Sequence, residues 1–174
     1  QMVVFIPFSE ELVAGVLTEG GVMSPVLAVV FGKFSGGSIG KALGFDSELM
    51  EWRKELLTGL VSIKRNSASD ISNLSELLSS GASQNETERL ELGFRFILLW
   101  IRDIALAGIG SDCLTNTDFT EAINNEARKW DLGDLLEMER NVERAWYDIA
   151  RANANTKLAL DNLFLKLSAC AGMS

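Results

Sequence analysis

The sequence contains no histidine. This excludes Ser-His-Asp and Cys-His triads, histidine-ligated zinc and acid–base catalysis by imidazole. Cysteine is also scarce, because only Cys113 and Cys170 occur. The two lie far apart in sequence, which fits no metal-binding motif, and one pair is too few to cross-link a secreted scaffold. We therefore expect two reduced thiols in a cytosolic protein.

Long apolar runs and an excess of positive charge are absent too. The longest apolar run, 22–32, is interrupted by Ser24 and Pro25 and is far shorter than the roughly 20 residues of a membrane helix. No cationic segment with a cleavage site opens the chain, so no secretory signal is expected. Sixteen basic against 24 acidic residues give a formal charge of −8, which argues against a free-standing nucleic-acid binder. Because the first residue is Gln1 rather than Met, we expect a piece of a longer protein.

What is present is mostly helical pattern, in a chain of 174 residues that is 47% hydrophobic. This is enough for one ordinary domain or two small ones. Segment 1–8, rich in valine, isoleucine and phenylalanine, is the sole candidate for extended structure. The serine-rich stretch 67–83 is the one loosely patterned segment, and helix is predicted everywhere else.

Three short helices are predicted before residue 46. Ser9 and Ser24 are suitable N-caps, and Pro25 occupies the preferred first position of the second helix. Glycine pairs at 20–21 and 36–37 end the first two helices, and the third runs over about 38–45. Helices this short bury little surface by themselves, so they need a neighbour.

Longer amphipathic helices are predicted after Asp46. The first shows one buried face at steps of three and four, formed by Leu49, Trp52, Leu56, Leu60 and Ile63. The next, capped by Asn85 or Thr87 and ending near Gly108, is apolar almost all round and is expected at the centre of a bundle. Helices over about 117–129 and 131–152 follow. Asn155 caps the last helix, whose predicted core residues are Leu158, Leu160, Leu163, Phe164 and Leu167.

The prediction is thus an all-α fold with a three-helix unit over 1–46 and a bundle of about five helices over 47–174. Two motifs within it bear on chemistry. Segment 36–41 (GGSIGK) resembles the end of a phosphate-binding loop, but the first glycine and the magnesium-binding hydroxyl are missing. Arg102 and Asp103, at the edge of the apolar helix, are expected either to anchor a packing or subunit contact or to form an ordinary surface end of the helix.

Four segments resemble one family, the delta-prime subunit of the bacterial DNA polymerase III clamp loader. Segment 1–11 (QMVVFIPFSEE) is similar to the family's exit from its ATPase-like domain, and 35–43 (SGGSIGKAL) to its third lid helix. Segments 99–103 (LWIRD) and 153–163 (NANTKLALDNL) are similar to its collar motifs. The chain departs from the pattern at four positions: Lys41, Ala154, Thr156 and Asp161.

The resemblance implies an AAA+ lid over 1–46 followed by a collar that packs with four sister subunits into a ring. It implies a non-catalytic subunit in the bacterial cytoplasm that helps load the sliding clamp on DNA for replication, with no cofactor, metal or membrane contact. The implied partners are the motor (gamma/tau) and delta subunits, with DNA and the clamp met only within the complex. The nucleotide-binding domain would precede Gln1.

The resemblance also assigns positions. Gly40 occupies the column of the arginine that touches the γ-phosphate in ATP-hydrolysing relatives, and Lys41 the column after it. No guanidinium is then left there to sense phosphate. The expected packing and interface residues of the collar are Trp100, Arg102, Asp103, Trp146, Asn153, Asn155, Leu160 and Leu163.

Two other functions remain open at this point. The chain would be a small ATPase if the 36–41 turn bound nucleotide. It would be an unrelated helical adaptor if its acidic surface bound a basic partner, and that binding would weaken strongly with salt.

Overall fold

The computed structural model describes residues 7–21, 23–63, 67–79 and 86–170. Within these ranges the chain forms nine α-helices, one 3-10 turn and no strand, which confirms the all-α prediction. Most of the predicted extended segment 1–8 lies outside the described residues, as do Asn85 and the end of the serine-rich stretch. No described helix is long and apolar enough to cross a membrane.

The N-terminal unit consists of α1 (Glu10–Glu19), α2 (Pro25–Phe34) and α3 (Ile39–Leu43). Both predicted N-cap positions are correct. The Ser9 hydroxyl accepts the backbone N–H of Leu12, whereas Ser24 precedes Pro25 at the start of α2 without a side-chain capping bond. Gly37 has φ +80°, and its C=O accepts the N–H of Phe8 at 3.0 Å. A side chain at Gly37 would collide with the backbone of Phe8, so this glycine turn fixes the entry of the chain into α1.

The bundle contains α4 (Ser47–Ser62), α5 (Ala68–Ser79), α6 (Glu86–Gly108), α7 (Thr120–Glu126), α8 (Leu132–Ala150) and α9 (Thr156–Cys170). A 3-10 turn at Thr117–Phe119 leads into α7. Helix α6 packs against α4, α5, α7 and α8, which confirms its predicted central position. Phe34 of α2 meets Phe96 of α6 edge-on at 4.6 Å, so the two units share one continuous hydrophobic core. The division near residue 46 stays a prediction.

The serine-rich stretch was predicted wrongly, because much of it is helix α5. Ile71, Leu74, Ser75 and Leu78 are buried at steps of three, one and three, which is the period of one helical face. Glycines of the neighbouring helices admit this face closely: a Cβ at Gly59 or Gly93 would collide with Leu74 or Leu78, respectively. With α5, six of the described helices follow residue 46.

The last helix differs from its prediction at one position. Leu160, Leu163, Phe164 and Leu167 are buried as expected, whereas Leu158 is 69% exposed. Leu158 lies in the first turn of α9, where the chain has just left α8, and its side chain points away from the core. The prediction that Leu158 is a core residue is therefore wrong.

Candidate functional site

Asp103, one of the two charged residues singled out on α6, is completely buried. Its Oδ2 accepts the backbone N–H of Thr115 at 2.9 Å, the backbone N–H of Asn116 at 2.7 Å and the Asn116 side-chain amide at 2.8 Å. These bonds fasten the loop that follows α6 back onto the helix. Asp103 thus takes part in the chain's own packing and does not lie at an exposed end of the helix.

Arg53 of α4 extends this arrangement and was missed by the sequence analysis. Its guanidinium donates to Asn116 Oδ1 at 2.6 Å and grips both carboxylate oxygens of Asp118 at 2.7 and 2.9 Å. The side chain is fully buried, and its charged group lies 5.7 Å from the ring centre of Phe119. We call Arg53, Asp103, Asn116 and Asp118 the buried polar cluster. The spacing of apolar residues did not indicate that Arg53 is buried, because a charged residue next to a core tryptophan usually belongs to the polar face of an amphipathic helix.

Trp100 and Arg102 frame the buried polar cluster. The Trp100 ring is buried and meets Phe119 edge-on, with ring centres 6.0 Å apart. Arg102 is half-exposed, donates to the Thr115 hydroxyl at 2.9 Å and lies 3.7 Å from Asp103 Oδ1. The motif 99–103 thus has two members in the core, Trp100 and Ile101, together with one sealed carboxylate and one guanidinium that solvent reaches.

The remaining interface candidates lie on α8, on α9 and in the turn between the two helices. Asn153 adopts a left-handed φ of +52°, which asparagine tolerates better than most residues. Asn155 caps α9 by accepting the N–H of Leu158 at 3.0 Å. Trp146 stacks at a tilt on Phe94 of α6, with ring centres 5.3 Å apart. Leu160 and Leu163 are buried within the chain's own core, so they are not free to meet a partner.

A second polar constellation joins α9 to α5 at the surface. Lys157 donates to Asp161 Oδ1 at 3.1 Å and to the Ser72 hydroxyl at 3.3 Å, and lies 3.9 Å from Glu76. The Ser75 hydroxyl and then Lys157 lower the pKa of the Asp161 carboxyl below its usual value, against the opposing effect of desolvation. We call Ser72, Glu76, Lys157 and Asp161 the surface polar cluster.

Gly40 and Lys41, from the segment that resembles the end of a phosphate-binding loop, lie on α3. Gly40 is exposed, with nothing within 4 Å of the position its Cβ would take. Lys41 is exposed beside an open groove of about 420 Å³ that is also lined by Arg95, Glu88 and Glu91. The two carboxylates counter the two cations, so this groove does not offer the concentrated positive charge that a polyphosphate requires.

Other chemistries find little support among the described residues. No group of three or more Asp, Glu or Cys side chains there is arranged to hold a metal ion. Cys113 is an exposed free thiol, and the side chain of Cys170 lies outside the described part. Large apolar side chains are exposed on the last two helices, namely Leu132, Leu136, Tyr147, Leu158 and Leu165.

No family model, curated protein or solved structure matches the chain. The resemblance to the delta-prime clamp-loader family therefore stays a prediction that depends on the four quoted segments alone.

Proposed function

We propose that this chain is the lid and collar of a non-catalytic subunit of the delta-prime type in a bacterial clamp loader. It assembles through its collar with the motor and delta subunits in the cytoplasm. Within that complex it helps to load the sliding clamp on DNA. Hydrolysis of ATP belongs to the motor subunits in this proposal.

The observation that carries the proposal is the exposure of Leu158. This leucine belongs to the collar-like segment 153–163, yet it is 69% exposed and takes no part in the chain's own core. Leu165, one heptad later, is 44% exposed on the same side of α9. Apolar side chains in line on one helix face are typical of a surface that a partner covers.

The other collar-like segment, 99–103, favours a structural role for this chain over a catalytic one. Asp103 is sealed from solvent, and its Oδ2 accepts hydrogen bonds from Thr115 and Asn116. A carboxylate in that state holds a loop in place and is out of reach of a substrate. Gly40 is consistent with this, because it provides no guanidinium where the ATP-hydrolysing relatives carry one.

Size-exclusion chromatography with light scattering tests the proposal. The purified chain is mixed with the motor and delta subunits of the same organism, and we expect one complex that contains all three. Leu158→Glu together with Leu165→Glu places two charges on the exposed face of α9. We expect this variant to weaken or abolish co-elution.

Leu43→Glu is the matched control. Leu43 is also an exposed leucine, but it lies on α3 outside the collar, so this variant should assemble like the parent chain. Failure of the parent chain to co-elute with either subunit would overturn the proposal. Salt-sensitive binding to a basic protein instead would favour the helical adaptor.

A further inference from the structure

Helix α8 presents a continuous outer seam that no other described helix covers. Leu136, Arg140, Glu143 and Tyr147 follow one another at steps of four, three and four, so they lie on one face. Leu136 is 47% exposed and Tyr147 62% exposed. Both charged residues between them are exposed as well. Two apolar side chains thus flank one cation and one anion.

The two charges in the middle of this seam are not used inside the chain. Within the described ranges, neither Arg140 nor Glu143 takes part in an ion pair or a side-chain hydrogen bond. Their neighbour on the flank of the seam, Arg144, does have a partner, Asp148, at 4.0 Å. Arg140 and Glu143 therefore offer a cation and an anion to a molecule outside.

We propose that this seam pairs with the same seam of a second copy of the chain, with the two α8 helices antiparallel. Centring the pair between residues 141 and 142 places Leu136 against Tyr147 of the second copy. The same register places Arg140 against Glu143 of the second copy. A two-fold axis repeats each contact, so every apolar and every charged residue of the seam finds a complementary partner.

The ends of the seam fit this register. Gly133 faces Ala150 of the second copy, and both residues are small and exposed. Two helix backbones can approach closely where the facing side chains are small. A parallel pair, by contrast, would set Arg140 against Arg140 and Glu143 against Glu143, and like charges at close range are unfavourable. The order of residues along α8 therefore selects the antiparallel arrangement.

The contact is small, because it spans Gly133 to Ala150, about 26 Å of helix at 1.5 Å per residue. Interfaces of one helix from each copy lie at the low end of stable protein contacts. We therefore expect a dimer that dissociates on dilution. The pairing does not depend on the clamp-loader proposal, because it uses α8 and a second copy rather than Leu158 and Leu165 of α9.

Sedimentation velocity of the chain alone, from low micromolar to several hundred micromolar concentration, tests the pairing. We expect a reversible dimer for the parent chain. Arg140→Glu or Glu143→Arg sets like charges against each other twice, and each should weaken dimerisation about tenfold or more. The double variant R140E/E143R exchanges both charges and should restore the dimer.

Glu137→Arg is the matched control, because it makes the same charge change as E143R on an exposed residue of α8 that lies on the flank and is not a member of the seam. It should leave dimerisation unchanged. Circular dichroism and thermal unfolding would show that each variant keeps the parent fold. A chain that stays monomeric throughout, or a double variant no better than the single ones, would overturn the proposal. So would a dimer that is lost in L158E/L165E and not in the charge variants.

Discussion

The buried and surface polar clusters perform the same task in different surroundings. Each joins a helix to a segment that is distant in sequence: Arg53 of α4 reaches Asn116 and Asp118, and Lys157 of α9 reaches Ser72 and Glu76. Arg53 is fully buried, whereas the Lys157 side chain is 41% exposed. Water replaces a lost partner at the surface but not in the core. Burial, rather than the number of hydrogen bonds, therefore decides how much each cluster contributes to the free energy of unfolding.

The largest effect should come from Asp103→Ala. The change leaves two buried backbone N–H groups and the amide of Asn116 without their acceptor. We expect the free energy of unfolding to fall by about 3 kcal/mol or more. Urea unfolding followed by tryptophan fluorescence measures it.

Asp103→Asn is the control for this experiment, because its amide oxygen still accepts hydrogen bonds. Its loss should be smaller, about 1 to 2 kcal/mol. Equal losses for the two variants would mean that the carboxylate's hydrogen bonds are not what stabilises the loop.

Arg53→Met should cost less than Asp103→Ala but still about 2 kcal/mol. Methionine fills most of the space, yet Asn116 Oδ1 and Asp118 lose their donor. The cost is moderated because the Asp118 side chain is 21% exposed and can rehydrate. Arg53→Lys keeps the charge but cannot bind Asn116 and both oxygens of Asp118 together, so it should fall between the parent chain and R53M in the same urea titration.

Lys157→Met should change the free energy of unfolding by less than about 1 kcal/mol, because exposed ion pairs contribute little. Added salt sharpens the contrast. The small loss in K157M should shrink in 1 M NaCl, where the screening length is about 3 Å, while the loss in R53M should persist. A larger loss in K157M than in R53M would reverse the comparison.

The smallest effect is the pH dependence that Asp161 contributes. Because its folded-state pKa is below the unfolded value of about 3.9, its stabilisation is complete well above pH 4. It is lost as the pH falls through the folded-state pKa. The stability difference between the parent chain and Asp161→Asn should therefore be present at pH 6 and shrink toward pH 3. A difference that is constant over this range would contradict the assignment.

The helix starts could be predicted from the sequence where they depend on residues close together in the chain. Ser9, Pro25 and Asn155 mark helix starts correctly because capping depends on residues only three or four positions apart. Helix α5 was missed because its serines obscured the buried spacing of Ile71, Leu74 and Leu78. The close approach of α5 to Gly59 and Gly93 could not be predicted, because it depends on how the helices pack against each other.

The candidate site divides in the same way. Asp103 could be singled out from the sequence because a carboxylate at the edge of an apolar helix is unusual. Arg53 did not, because its partners Asn116 and Asp118 lie on a distant loop that no spacing rule connects to α4. Leu158 was misplaced for the opposite reason, since periodicity reveals an apolar position without revealing whether the chain's own core or another molecule covers it.

The buried polar cluster has a consequence for the order in which the chain folds. The donors of Asp103 lie only 12 and 13 positions away in sequence, whereas Arg53 and its partners are separated by 63 and 65. Closing the short loop costs less entropy than closing the long one. We therefore expect helix α6 and its following loop to assemble early, and α4 with the Arg53 guanidinium to dock onto them later. Arg53→Met should accordingly raise the unfolding rate while leaving the refolding rate nearly unchanged.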